Sequence, residues 1–165
     1  MFFYHWMICL MIRRSPFGAN LFNLYHRACW FLRRRHPNLM RIDLAGSTPV
    51  NINFQGCNLC GAHFNHAIWT GVNCANAGCN YAEFDHGTFD GCDFSKAHLM
   101  GAKLNGALFV DCSFDGASLH GVEMANATFQ NCSFQGANFA DTMLGDANFV
   151  DCNLDGIRGA TLAPR

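Results

Sequence analysis

Acid is missing from the first quarter of this chain: no aspartate or glutamate precedes Asp43, and the seven charged residues before Ile42 are all arginines (Arg13, Arg14, Arg27, Arg33, Arg34, Arg35 and Arg41). Charge is sparse throughout, at 14 % of 165 residues. After Ile42 its balance reverses, with twelve acids against only Lys96, Lys103, Arg158 and Arg165. A near-neutral whole therefore hides a leader seven charges positive and a body eight charges negative. Such asymmetry points to two surfaces with different partners, or to mutual attraction. Long apolar runs are lacking as well. Met1 to Ile12 is apolar but has no basic segment before it and no small-residue cleavage site after it. It is too short to span a bilayer, so neither a transmembrane helix nor a signal peptide is expected there.

The marks of catalysis are also scarce. No nucleophile stands beside a base, no glycine loop is spaced to cradle a phosphate, and no carboxylate pair faces a cleft. Half of the residues are hydrophobic, enough for a core without cofactor or metal. Neither is expected, and the chain reads as a non-enzyme.

What the sequence has is a period of five. Taking every fifth residue from Leu44 to Leu154 as a centre gives twenty-three positions, of which eighteen are Phe or Leu, and all eleven phenylalanines after residue 41 fall in this column. Two residues before each centre a second column holds eleven Ala and five Cys; two residues after it, Gly appears eleven times, with Asn, Asp or His in most other places. This fits neither a 3.6-residue helical period nor a long alternating strand. A small and a large residue separated by one polar residue point the same way only in extended backbone. Each pentapeptide is thus a short inward edge and a corner, where Gly, Asn and Asp accept positive φ and bond their own backbone.

A superperiod of twenty then stacks residues in register: Phe89, Phe109, Phe129 and Phe149 in one column, Phe94, Phe114 and Phe134 in another, and Cys92, Cys112, Cys132 and Cys152 in a third. Four edges close a square coil, and nearly six coils make a rod about 27 Å long. The segments GANFADTMLGDANFVDCNL and SKAHLMGAKLNGALF resemble the consensus of the pentapeptide-repeat family, over about 70 % of the chain. The resemblance implies an all-β solenoid, the family's right-handed quadrilateral β-helix, over residues 42–157, between a leader (1–41) and a tail (158–165). Trp69, Cys74, Cys79 and Met124 depart from the consensus at centres and Pro49 departs near the start, so the early coils are expected to be less regular.

The register also sorts the reactive side chains. Cys57 and Cys60 form a C-x-x-C, but Cys57 falls in the inward column and Cys60 just after a centre, so their thiols should not converge on zinc. The four stacked cysteines replace Ala and read as small buried hydrophobes rather than disulfides, which suits a reducing, cytoplasmic setting. His63, His66 and His86 read as surface groups. Glu83, Lys103 and Glu123 stack as an alternating-charge ladder. Asp111, Asp115, Asp141, Asp146, Asp151 and Asp155 form a candidate acidic surface, interrupted by Asn131 and Gln135.

In the leader, Ser15-Pro16 starts an amphipathic pattern that Pro37 stops, predicting a helix over 16–35. It reads as a lid on the first coil, as a membrane-surface or partner helix, or as the remnant of a longer parent chain. Beyond Asp155 the register breaks, leaving an open edge, where family resemblance implies end-to-end homodimerisation. Functionally the rod reads as a protein-binding or scaffolding module whose partner is a protein. Two alternatives stand beside this reading: a DNA mimic binding a type II topoisomerase, as quinolone-resistance pentapeptide proteins do, and a bacterial secreted effector with a repeat platform. Direct nucleic-acid binding is not expected of an acidic body.

Overall fold

The computed structural model describes residues 38–160 apart from 143 and 145. The predicted helix over 16–35 and the end of the tail lie outside the described residues. Within them the protein is an all-β parallel solenoid. Five short strands, β1 (Ile68–Thr70), β2 (Thr88–Asp90), β3 (Leu108–Val110), β4 (Thr128–Gln130) and β5 (Asn148–Val150), stack in sequence order in one parallel sheet. Each strand pairs in register with the residue twenty positions on, as in Phe89 with Phe109 and Phe109 with Phe129. Four full turns therefore separate β1 from β5.

Three further ladders of single bridges form the other sides. The first face carries Asp43, His63, Glu83, Lys103 and Glu123; the second is the sheet; the third runs from Asn53 to Asn153; the fourth runs from Asn38 to Arg158. The fourth ladder starts four residues before Ile42 and ends at Arg158, one residue past the end of the segment marked out by the sequence.

A fixed bonding scheme explains why these pentapeptides fold so. The N–H of each centre donates to the next coil, as in Phe94 to Ser113 O (2.7 Å). The residue before the centre donates to the previous coil, as in Asp93 to Val72 O (3.0 Å), and the corner residue donates to the next, as in Lys96 to Asp115 O (2.8 Å). The corner needs positive φ, which Gly accepts without a Cβ penalty. Eleven non-glycine corners between residues 51 and 151 adopt it too, Tyr81 (58°) and Lys96 (57°) among them. For such residues left-handed backbone costs roughly 1–2 kcal/mol, offset here by the ladder the corner completes.

The interior is filled by the centre column. Phe89, Phe94, Phe109, Phe114, Phe129 and Phe134 are fully buried. Rings of the second face stack at 4.7 Å (Phe89 on Phe109) and 5.0 Å (Phe109 on Phe129), those of the third at 5.1 Å (Phe94 on Phe114) and 4.9 Å (Phe114 on Phe134). The two stacks meet edge to face, Phe109 on Phe114 at 5.3 Å, an arrangement favoured by the ring quadrupole. Cys74, Cys79, Met124 and Trp69 are buried centres despite departing from the consensus. Pro49 is buried as well. Its effect is local: having no N–H to donate, it leaves only the bridge Val50 to Thr70 as the first rung of the second face.

The two ends differ. Leu39, Ile42 and Leu44 of the first described coil are buried, whereas Phe149, Cys152 and Ile157 of the last are only partly so, and Leu154 is exposed.

Candidate binding surfaces of the rod

The first face is a polar network. Glu83 accepts from His63 Nδ1 (2.9 Å), Asn65 Nδ2 (2.9 Å) and Lys103 Nζ (3.3 Å). These partners, His63 first, hold its carboxyl at about 2, well below the usual carboxylate range. Glu83, Lys103 and Glu123 occupy successive rungs, which makes the charge alternation a structural ladder. His63 is part of this network rather than a free surface imidazole. At the neighbouring corner the rings of His66 and His86 stack at 5.4 Å.

The six acids singled out by sequence do not share one face. Asp111 and Asp151 stand in one corner column on either side of Asn131, and Asp115 and Asp155 in another on either side of Gln135; the register puts both columns at the borders of the third face. Asp90 and Asp93 join the same side, so half of the twelve acids gather there, with Lys96 as the cation among them. Asp141 lies at another corner, 3.6 Å from His120, and Asp146 at a third, its carbonyl accepting from Asn126 N (3.1 Å). Two acids on the third face are also engaged locally. Asp93 caps Ser95 N (2.8 Å), and Asp115 caps Gln135 N (2.9 Å) and accepts from Ser133 Oγ.

Capping is a role that sequence reading assigned only to corners. Asn53, Asn73 and Asn138, each just before a centre, accept from the N–H two residues on, at 2.9, 2.9 and 3.1 Å. Asn65, Asp85 and Asn105, each just after a centre, cap the equivalent N–H one coil later instead. The signal was present as a recurrence of Asn and Asp flanking Phe or Leu, which the five-residue pattern records simply as polar.

The cysteine column is more than apolar filler. Cys112 Sγ lies 3.4 Å from Phe89 O and 3.3 Å from Val110 O, and Cys132 and Cys152 repeat the arrangement with Phe109 and Gln130, and with Phe129 and Val150. Thr142, in the same position on the first face, reaches Leu119 O and Ala140 O by its hydroxyl. The cysteines occupy the corner that follows the strands. At the other corners the small residue's N–H closes a turn onto the carbonyl three residues back, as in Ala97 to Phe94 (3.0 Å); here Cys92 N faces Cys112 Sγ at 3.4 Å. Cys92, Cys112 and Cys132 are buried, and Cys152 is partly exposed. The described cysteines are free thiols, with Cys57 inside and Cys60 turned to Gly78 O (3.6 Å). Burial pushes the Cys74 and Cys79 thiols up.

Two family profiles described as pentapeptide repeats match the chain, one over residues 109–158 and one over 38–73 and 57–95. Together they span more than half of it. The chain belongs to the pentapeptide-repeat family. No curated protein matches it. Among solved structures, this pentapeptide-repeat protein is similar to one from the Arabidopsis thaliana thylakoid lumen, at 25 % identity over 64 % of this chain and 66 % of that one (TM-score 0.46). It is also similar to full-length QnrB1, a plasmid-mediated fluoroquinolone resistance protein (18 % identity, 76 % and 73 % covered, TM-score 0.36). A third is HetL of Nostoc sp. strain PCC 7120, involved in heterocyst differentiation regulation (17 %, 73 % and 71 %, 0.34).

Proposed function

We propose that this pentapeptide-repeat protein is a non-catalytic scaffold that recognises a protein partner through the outward side chains of its ladders. The observation that supports this is the division of labour within each repeat. The centre and the small residue are committed inward and the corner to the turn, so what remains for contact is rows of side chains about 4.8 Å apart on rigid backbone. Rigid, pre-ordered surfaces of this kind lose little entropy on binding. Buried free thiols favour a reducing, cytoplasmic setting. The partly exposed last coil, with the centre residue Leu154 left uncovered, is where a second copy docks end to end; Leu154→Asp is expected to shift a dimer to monomer by sedimentation. The finer fold statement, a right-handed coil entered through an amphipathic helix, belongs to the same proposal, and far-UV circular dichroism of the full chain and of residues 38–165 tests its helical part. The test of the scaffold reading is affinity capture from the source cell followed by titration with the purified partner. Saturable one-to-one binding is expected; failure of any purified candidate to bind would sink it.

A second reading, a DNA mimic that occupies a type II topoisomerase, draws on the gathering of Asp90, Asp111, Asp151 and Asp155 around the third face. A supercoiling assay with gyrase decides it: inhibition that Asp111→Asn and Asp151→Asn relieve supports the mimic, and no effect at any concentration removes it. A third reading, a secreted effector whose arginine-rich residues 1–41 contact a membrane, is tested by vesicle flotation with and without those residues.

A further inference from the structure

We propose that Cys152 and Cys132 are a redox-active pair: a small disulfide enters at Cys152, and Cys132 resolves the mixed disulfide into a reversible bond tying the last coil to the one before. This stands apart from the scaffold reading and adds a modification site at one end of the rod. The two residues are in-register neighbours, between the rungs Gln130 with Val150 and Ser133 with Asn153. They differ in access. Cys152 is partly exposed in the coil whose strand β5 pairs only with β4, whereas Cys132 is buried. Each thiol interacts with the next in the column, Cys152 with Cys132 and Cys132 with Cys112. A pair with one member reachable and the other shielded directs an oxidant to a single entry point.

The chemistry balances with a small disulfide, RS–SR, as oxidant. Cys152 Sγ displaces one RSH and becomes Cys152–S–SR; Cys132 Sγ then attacks Cys152 Sγ, and the second RSH leaves. Two protein thiols are oxidised, the small disulfide is reduced to two thiols, and the protein's two protons go to those products. Cys132 is suited to the second step, because its hydrogen bond with Cys112 lowers its pKa and favours the attacking thiolate. Partial burial raises the Cys152 thiol, so entry is the slower step at neutral pH. Spacing sets the character of the bond. Ladder neighbours about 4.8 Å apart lie within the Cα range of a disulfide, about 4.4–6.8 Å, and just beyond its Cβ range, about 3.5–4.5 Å. Closure therefore needs a small shift of the last coil, and strain of this kind makes a disulfide easily reduced. In the reduced state Cys152 Sγ lies 3.4 Å from both Phe129 O and Val150 O. Oxidation exchanges these weak contacts for a covalent tie.

The test treats the folded full chain with one equivalent of 4,4′-dithiodipyridine and follows thiopyridone release, intact mass and the peptide map. Wild type should release two thiopyridones per chain, become lighter by two hydrogens with no adduct left, and yield a Cys132–Cys152 linked peptide. Reduced glutathione should restore both thiols. Cys132→Ala, which installs the residue common in the small column, should stop at one thiopyridone with a stable adduct on Cys152. Cys152→Ala should slow release from the folded chain at least tenfold. The wild-type product decides the matter whether or not either variant folds. A stable mixed disulfide on wild-type Cys152, a bond joining two chains through Cys152, equal reaction at Cys92 and Cys112, or a Cys132–Cys152 bond that glutathione leaves intact would overturn the proposal.

Discussion

Gly101 and Gly46 look equivalent in the sequence, both glycines two residues after a centre, yet the structure separates them. Both have a φ of +64°, but a Cβ on Gly46 meets nothing within 4 Å, whereas one on Gly101 falls 2.6 Å from the Tyr81 ring. Gly46→Ala should cost about 1 kcal/mol from backbone strain alone. Gly101→Ala should cost about 1 kcal/mol more, and that excess should vanish in a Tyr81→Ala background, read by urea denaturation. Inside the rod, Phe109 touches stacked rings above and below as well as Phe114 edge-on. Phe109→Ala is expected to destabilise by about 3–5 kcal/mol. The five-residue column made Phe109 legible as core and Gly101 as a corner. The Tyr81 contact was not legible, because it depends on where a ring settles one coil away. In the cysteine column, iodoacetamide on the folded protein should label Cys152 and spare Cys92, Cys112 and Cys132, as peptide mass spectrometry would show. Equal labelling of all four would contradict their burial.

At the scale of a coil, stability rests on bonds that recur once per pentapeptide and are closed by side chains. Asp115 caps Gln135 N and accepts from Ser133. Asp115→Ala should cost about 1 kcal/mol, a loss that Asn largely restores. Glu83 gives a pH dependence of known sign. Its folded pKa, about 2, lies below the ordinary 4.5. Its contribution is therefore complete above pH 4.5 and is lost as pH falls from there through about 2. Because its network is partly solvated, the effect is on the order of 1 kcal/mol. Acid unfolding of Glu83→Gln should show a correspondingly shallower slope in that window, and an unchanged slope would remove the network from the account. The alternation of Glu83, Lys103 and Glu123 could be read from twenty-residue spacing. The entry of His63 and Asn65 could not, since side-chain reach across eighteen to twenty residues is set by the coil and not by the local pattern. The same limit hid the thiol contacts of the cysteine column, which need the strand corner as well as the spacing.

For the whole molecule, the five-residue repeat and its superperiod of twenty define four sides and stacked columns, and the ladders from Asn38 to Arg158 follow that register. Which side is different was not readable: all four look alike as pentapeptides, and the sheet arises on the second because its residues after the centre, such as Thr70 and Val110, stay in the ladder. The gathering of acids was half legible. Columns of Asp111 with Asp151 and Asp115 with Asp155 follow from spacing, but the separation of Asp141 and Asp146 onto other corners requires the four-sided closure. The central claim is that recognition belongs to one rigid face of the rod. The most direct measurement is retention of the purified native partner by four variants, each with a paired outward lysine on a different face and each with an unchanged melting temperature. The account predicts loss confined to one face or to two that share a corner; equal retention by all four variants would contradict it.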